Sequence, residues 1–376
     1  MSMLVGTVGI VGGATRDSYL AQCETETDGN TVSVRCGAHS RRLKILDGCA
    51  DAGGKATLSE LPAGLLAHAS RTEFGGGGVN SCRAFQMVAP GYPLRYLDVS
   101  LFDPQLSAYL NNPATRVRFL GLRPIPVNAV LGDRGDKVIL KSPTPPGVTC
   151  LSLERQAEIT WLASAKAILA NSLRDPAVIA RLIYESGRRR AKVYLGVTRS
   201  LPSDSGIESI ASVIIAGWDD FSEQIALGVR MDISGGMLAV ERLRELAPTA
   251  ALFVTMGREG VLLQTASDCA AVHVRLRSGV DSQVQLLVFE NPSRACGCGD
   301  AFAAGLFAEL ETGRSYLSNV RTERPRFERA AMSGCASALR WLGYRGPLAE
   351  SDFVVATIHR RRSGKTLDVV LSKRLA

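Results

Sequence analysis

Cys296-Gly297-Cys298-Gly299-Asp300-Ala301-Phe302-Ala303-Ala304-Gly305 is the stretch from which the rest of the chain is best read. Two glycines run straight into an alanine-rich apolar segment, the pattern of a tight turn opening a helix over 299–311 with an acid in its first turn. The head of any helix presents backbone N–H groups that the helix itself does not satisfy, at the positive end of its dipole, and so suits an anion. Glycine matters there because a Cβ would block the close approach of a phosphate. Asp300, at the same head, can cap the helix or take a proton from a hydroxyl held beside the phosphate.

Working outward, the apolar run Val284 to Phe289 predicts a strand leading into that turn, and 327–342 a second helix after it. Upstream, Gly260 to Gln264 and Val272 to Leu276 read as an antiparallel pair. Strand patterns at 191–197, 213–216 and 252–255 alternate with helical ones at 153–170, 175–187, 219–228 and 236–246. This alternation predicts an α/β fold with a mainly parallel sheet covered on both faces. Residues 3–11 read as a buried strand entering a turn at Gly12-Gly13, and 79–88 as a helix opening on a glycine loop. Further strands are predicted at 94–102 and 117–122, with a hairpin over 124–141. Residues 18–74 are polar and β-branched, so the early β-rich parts read as a smaller appendage such as a lid. The tail 352–376 alternates around Arg360-Arg361-Arg362 in a hairpin pattern.

Composition excludes several classes. With 46% hydrophobic and 21% charged residues, the 376-residue chain has enough apolar material for a sizeable core. It holds no run of about 20 apolar residues that would predict a membrane span. The N-terminus lacks the basic region of a signal peptide, so a cytoplasmic location is expected. Nine cysteines without a Cys-x-x-Cys spacing predict reduced, buried small hydrophobes rather than zinc ligands. The four histidines lack metal spacing. A net charge of +8 fits a polyanionic small ligand such as a nucleotide. The arginine runs 188–190 and 360–362 lack interleaved aromatics and read as solvated element ends, so neither nucleic acid nor membrane is expected as a partner.

Two further signals lie in the amino-terminal half. Gly75-Gly76-Gly77-Gly78-Val79-Asn80 lets the backbone approach a ligand, and Asn80 offers a donor and acceptors to a diol. Asp17 lies just beyond the first strand, where open α/β sheets bind ligands.

These motifs, in this order, resemble the ribokinase-like (PfkB) carbohydrate kinase family. Gly297-Cys298-Gly299-Asp300-Ala301-Phe302 is similar to its phosphate-hole pattern, and Gly75, Gly76, Gly78 and Asn80 to its Gly-Gly-x-Gly-x-Asn pattern. Val254 to Val261 is similar to the strand and turn under the nucleotide, and Gly12 to Asp17 to the first strand end. The resemblance implies a three-layer α/β/α architecture with a mainly parallel central sheet and a small β lid. The kinase domain would span 1–350, with lid strands drawn from about 18–46 and 94–141, and 351–376 would be an extension of unknown role. It implies transfer of the γ-phosphoryl of ATP to a primary hydroxyl of a sugar or nucleoside. Asp300 would be the general base, and the amides of Gly297, Cys298 and Gly299 would form the anion hole. Asp17, Gly76, Gly77 and Asn80 would bind the acceptor, and Thr255, Gly257 and Gly260 would lie by the nucleotide. Two copies would pair through the lid.

The chain departs from the family pattern twice. Arg294 stands where an acid often belongs to a monovalent-cation site, which argues against that cation. The family's Asn-x-x-Glu, which helps place magnesium, has its nearest counterpart at Gly217 to Asp220, where Asp220 alone offers an acid. These departures keep open an alternative, a catalytically impaired sugar or nucleoside sensor on the kinase fold.

Overall fold

Val8–Gly12 (β1) is five consecutive buried residues, as expected of a central parallel strand covered on both faces. A computed structural model describes residues 6–20, 23–48, 55–133, 136–143, 148–196, 206, 210–218, 232–268, 270–290, 295–318, 324–363 and 366–373. In it, β1 lies between two parallel neighbours, Leu94–Ser100 (β8) and Ala167–Asn171 (β12), with Val8 opposite both Leu94 and Ala167. From β8 the sheet continues to Thr115–Arg123 (β9). From β12 it continues through Lys192–Gly196 (β13), Ala211–Gly217 (β14) and Ala251–Thr255 (β15), all parallel. Four antiparallel strands extend it: Val261–Gln264 (β16), Ala271–Leu276 (β17), Phe353–Ser363 (β18) and Thr366–Lys373 (β19). The chain order therefore reverses direction between β1 and β12. This switch point is where the carboxyl ends of parallel strands leave a crevice.

Alternate side chains of these strands feed two cores. Val8, Ile10, Tyr194, Ile215 and Phe253 pack on one face with Gly77–Val88 (α2), Pro104–Tyr109 (α3), Cys298–Thr312 (α8) and Arg326–Leu342 (α9). Val11, Leu195, Ile214 and Leu252 pack on the other with Leu153–Ala163 (α4), Pro176–Arg189 (α5) and Ile233–Leu246 (α6). The result is three layers. Among the described residues, no helix is long and apolar enough to cross a membrane.

A second sheet sits over the switch point. It comprises Thr15–Leu20 (β2), Cys23–Asp28 (β3), Thr31–Cys36 (β4), His39–Gly48 (β5), Lys55–Leu58 (β6), Ala69–Gly75 (β7), Val127–Asp133 (β10) and Asp136–Lys141 (β11). Leu20, Val32, Val34, Leu43, Leu58, Leu131 and Leu140 fill its own core, beside the short helix Ala63–Leu66 (α1).

Four expectations are corrected. Residues 94–123, expected from sequence in a lid, supply β8 and β9 of the large sheet; both pair in parallel with the core strands, and of the range 94–141 only β10 and β11 join the second sheet. The helix predicted over 153–170 ends at Ala163, and 167–171 is β12, because a four-residue apolar run is compatible with either state until its partners are known. Val284 to Phe289 belongs to a helix, Ser278–Glu290 (α7). Val280, Val284, Leu287 and Val288 recur at helical spacing and lean together on the core. Cys23 and Cys36 are not reduced: they face each other across the β3–β4 ladder and form a disulfide. The predicted tail hairpin is present as β18 and β19, and the predicted pair over 260–276 as β16 and β17.

Candidate active site

The two glycine loops meet. Gly76 caps α2 with φ +89°, and a Cβ there would lie 2.5 Å from the Gly13 carbonyl oxygen, so the bend presses on the turn that follows β1. That turn is held by Asp98, which is fully buried and accepts from the Ser100 amide at 2.8 Å and from the Ala14 amide. Burial raises the Asp98 carboxyl above its ordinary range, against the pull of these hydrogen bonds. Gly78 packs equally closely, since a Cβ would meet Gly12 at 2.8 Å. Alanine at either position would force the end of β1 away from α2.

The bend has a carboxylate on each side. A Cβ on Gly75 would lie 2.1 Å from Asp17 Oδ2, and one on Gly77 would lie 3.3 Å from Asp300 Oδ1. Two residues span at most about 7 Å of chain, so Asp17 and Asp300 flank one narrow opening. Asp17 stands on β2 between β10 and β7, paired with Asn128 and Glu73. It accepts from Thr15 Oγ1 and Asn128 Nδ2, each at 2.8 Å. Burial pushes its carboxyl above the usual value, those two hydrogen bonds pull it down, and the charges of Asp300 and Glu73 add to the rise. Tyr19, two residues on along β2, carries Arg71 over its ring, and burial, with the nearby Cys296 and Asp17 charges after it, raises its hydroxyl.

Asp300 is gripped from two elements. Asn80 Nδ2 on α2 donates to Oδ2 at 2.9 Å, and Asn171 Nδ2 at the end of β12 donates to Oδ1 at 3.0 Å. Ser81 Oγ donates to the Asp300 carbonyl at 3.3 Å. The preceding turn is shaped by Gly297, whose φ of +81° belongs to the left-handed region, and by Trp341, whose indole N–H donates to the Cys296 carbonyl at 2.6 Å. A Cβ on Gly297 would reach Asn80 Nδ2 at 2.8 Å, which is why this loop and the Gly75–Asn80 loop fit only with glycine here. On Gly299 a Cβ would meet nothing within 4 Å. The helix head therefore opens onto space at its positive end, a setting that suits an anionic group.

Thr255 lies on the same carboxyl edge, at the end of β15, three strands across from Asn171 and two residues beyond Phe253, which shares its register. Its hydroxyl donates to the Ala216 carbonyl at 3.3 Å. Gly257 and Gly260 flank a short 3-10 turn with φ of +55° and +93°. A Cβ on Gly260 would lie 2.2 Å from the Val274 carbonyl oxygen, so strand packing alone demands glycine there. Asp220 and Arg294 lie outside the described residues.

Sequence reasoning missed Asn128, Asn171, Ser81 and Trp341. Asn171 had a signal, a polar residue closing a short apolar run, but the run was assigned to a helix. Asn128 and Trp341 had none, since only the fold brings β10 to Asp17 and α9 to the Cys296 turn.

No known protein-family profile and no curated protein matches the sequence. Solved structures do. A ribokinase from Giardia lamblia superposes with a TM-score of 0.59 at 13% identity, covering 91% of this chain and 94% of the other. An Arabidopsis thaliana ribokinase complexed with ribose and ATP gives 0.55 at 14% identity, covering 91% and 100%. A PfkB protein from Polaromonas gives 0.51 at 13%, covering 92% and 98%. The chain has the ribokinase-like α/β fold that these proteins share.

Proposed function

We propose that this chain, with the ribokinase-like fold as its frame, is a kinase that moves the γ-phosphoryl of ATP onto a primary hydroxyl of a sugar or nucleoside. One observation carries the reading: a carboxylate at a helix head, Asp300, shares an opening with the buried Asp17 and the bare glycine bend between them. That a neighbour of this fold is complexed with ribose and ATP supports the same pair of ligands here.

Each residue then has a task. Asp17, held by Asn128 and Thr15, binds acceptor hydroxyls with Asn80 and the backbone of Gly76 and Gly77. Asp300 orients the reacting hydroxyl and accepts its proton as the oxygen bonds to phosphorus. A carboxylate can take this part because phosphoryl transfer passes through a loose transition state in which the proton leaves late. The amides of Gly297, Cys298 and Gly299, at the head of α8, stabilise charge on the transferred group. Thr255, Gly257 and Gly260 lie toward the nucleotide, whose magnesium neutralises phosphate charge when bound. Among the described residues no cluster of three metal-ligating side chains is present, and Asp220, expected to help hold the ion, is not among them, so no step is assigned to a metal ligand. The lid carrying Asp17 excludes water and suppresses ATP hydrolysis. Incubation with ATP, magnesium and a panel of sugars and nucleosides tests the reading. Phosphorylated product that is lost on Asp300→Asn supports it; ligand-induced melting shifts with no turnover favour the sensor instead.

A further inference from the structure

The kinase reading leaves one buried polar residue of the cleft without a task. Asn171 closes β12 at the switch point, 4% exposed, between β1 and β13. Its Nδ2 carries two hydrogens, yet three acceptors surround it: Ser81 Oγ at 2.7 Å, Asp300 Oδ1 at 3.0 Å and the Gly77 carbonyl at 3.2 Å. Ser81 and Gly77 together would satisfy both hydrogens, so the charged third acceptor is more than the amide needs. A carboxylate draws such donors more strongly than a neutral oxygen.

The surroundings are shaped around this side chain. Ser172, the next residue, has φ +57°, one of two described non-glycine residues in the left-handed region. The other, Arg190, caps a helix end, whereas Ser172 sits beside Gly77 in the cleft. Gly196 must lack a side chain, because a Cβ there would lie 2.3 Å from Asn171 Oδ1. Backbone strain of this kind persists where the surrounding structure demands a particular placement.

The terminal torsion of an aspartate is soft and only broadly two-fold. Left alone, the Asp300 carboxylate would swing. We infer that Asn171 is a positioning residue for Asp300: its amide on Oδ1, with the Asn80 amide on Oδ2, locks the carboxylate plane in one orientation toward the acceptor hydroxyl. This rests on the proposed phosphoryl transfer, with Asp300 as the proton acceptor. Asn171 touches no reacting atom, and its effect on proton transfer runs through Asp300.

The test is a kinetic double-mutant cycle with the full chain, ATP and whichever acceptor the wild type phosphorylates. Asn171→Ala should lower kcat by about 10–100-fold, the loss of one hydrogen bond to a charged group, with acceptor KM within about two-fold. In an Asp300→Asn background the same change should cost less than about two-fold, since the two residues act as a unit. Unchanged kcat, or a loss that persists in full in that background, overturns the inference while leaving the kinase reading intact. Wild-type protein without turnover on any acceptor overturns both. Should Asn171→Ala not fold, isosteric Asn171→Asp carries the test. It sets a second carboxylate about 3 Å from Asp300, with Asp17 the other acid across the opening, and like charges at that distance share a proton. The acid limb of its kcat profile should move to higher pH, and an unmoved limb overturns the inference.

Discussion

Gly297→Ala makes the sharpest demand on the geometry of the two loops. Its first cost is backbone: an L-residue held at φ +81° loses about 1–2 kcal/mol relative to glycine. The second is contact, because the new methyl would lie 2.8 Å from Asn80 Nδ2 and 3.0 Å from Trp341 Nε1. The closer contact is with Asn80, and Trp341 is tied to the Cys296 carbonyl, so Asn80 is the group that gives way. Moving it breaks the 2.9 Å bond to Asp300, a charge-assisted hydrogen bond worth about 1.5–3 kcal/mol. Together these lower stability by about 2.5–5 kcal/mol and the melting temperature by about 3–6 °C, because the unfolding entropy of a chain this long is about 0.8 kcal/mol/K. A carboxylate that has lost the Asn80 amide should also lose about 10²-fold in kcat. Scanning calorimetry at pH 7 and initial rates with ATP measure both. In an Asn80→Ala background the stability penalty should shrink to the backbone part, about 1–2 kcal/mol. A variant that melts within a degree of wild type and turns over normally would show that the loops do not touch as described, and the shared opening would be lost with them.

Asp300→Asn should reduce kcat by about 10²–10⁴-fold while acceptor binding, read by calorimetric titration, persists; undiminished turnover would remove Asp300 as the base. Asp17→Asn should raise acceptor KM by about 10–100-fold, the cost of a charge-assisted contact. It should also stabilise the fold at neutral pH. Burial raises the folded-state Asp17 carboxyl above its ordinary value of 3.8, so the native state binds that proton more tightly than the unfolded chain does. The resulting stability is full below 3.8 and is lost as pH rises through the folded value. The variant should therefore melt above wild type at pH 7, with the gap closing at strongly acidic pH; a gap that widens there contradicts the assignment. Cys36→Ser opens a disulfide whose cysteines are 13 residues apart, worth about 3 kcal/mol in chain entropy. Amide exchange across β3, β4 and β5 should then quicken by about 10²-fold, and unaltered protection would count against the pairing.

Much of this molecule was legible in one dimension because the physics concerned is local. The glycine turn before Asp300, the helix that follows it and the glycine run before α2 declare themselves through backbone freedom and apolar spacing, properties of neighbouring residues. The alternation from 191 to 255 likewise predicts parallel strands covered by helices. What eluded sequence reading was every choice settled by a distant partner. Residues 167–171 became a strand only because β1 and β13 lie ready on either side. Residues 94–123 joined the large sheet through pairing with β1, and 284–289 coiled so that one apolar stripe could lean on the core. Cys23 and Cys36 were brought opposite by the register of a hairpin. Asn128 and Asn171 reach the carboxylates of Asp17 and Asp300, and Trp341 the Cys296 carbonyl, from elements far away in the chain, since hydrogen bonds select by distance in space. The chemistry-bearing residues could thus be picked out from their own surroundings in the chain, whereas the partners that orient them were chosen by the packing of the sheet.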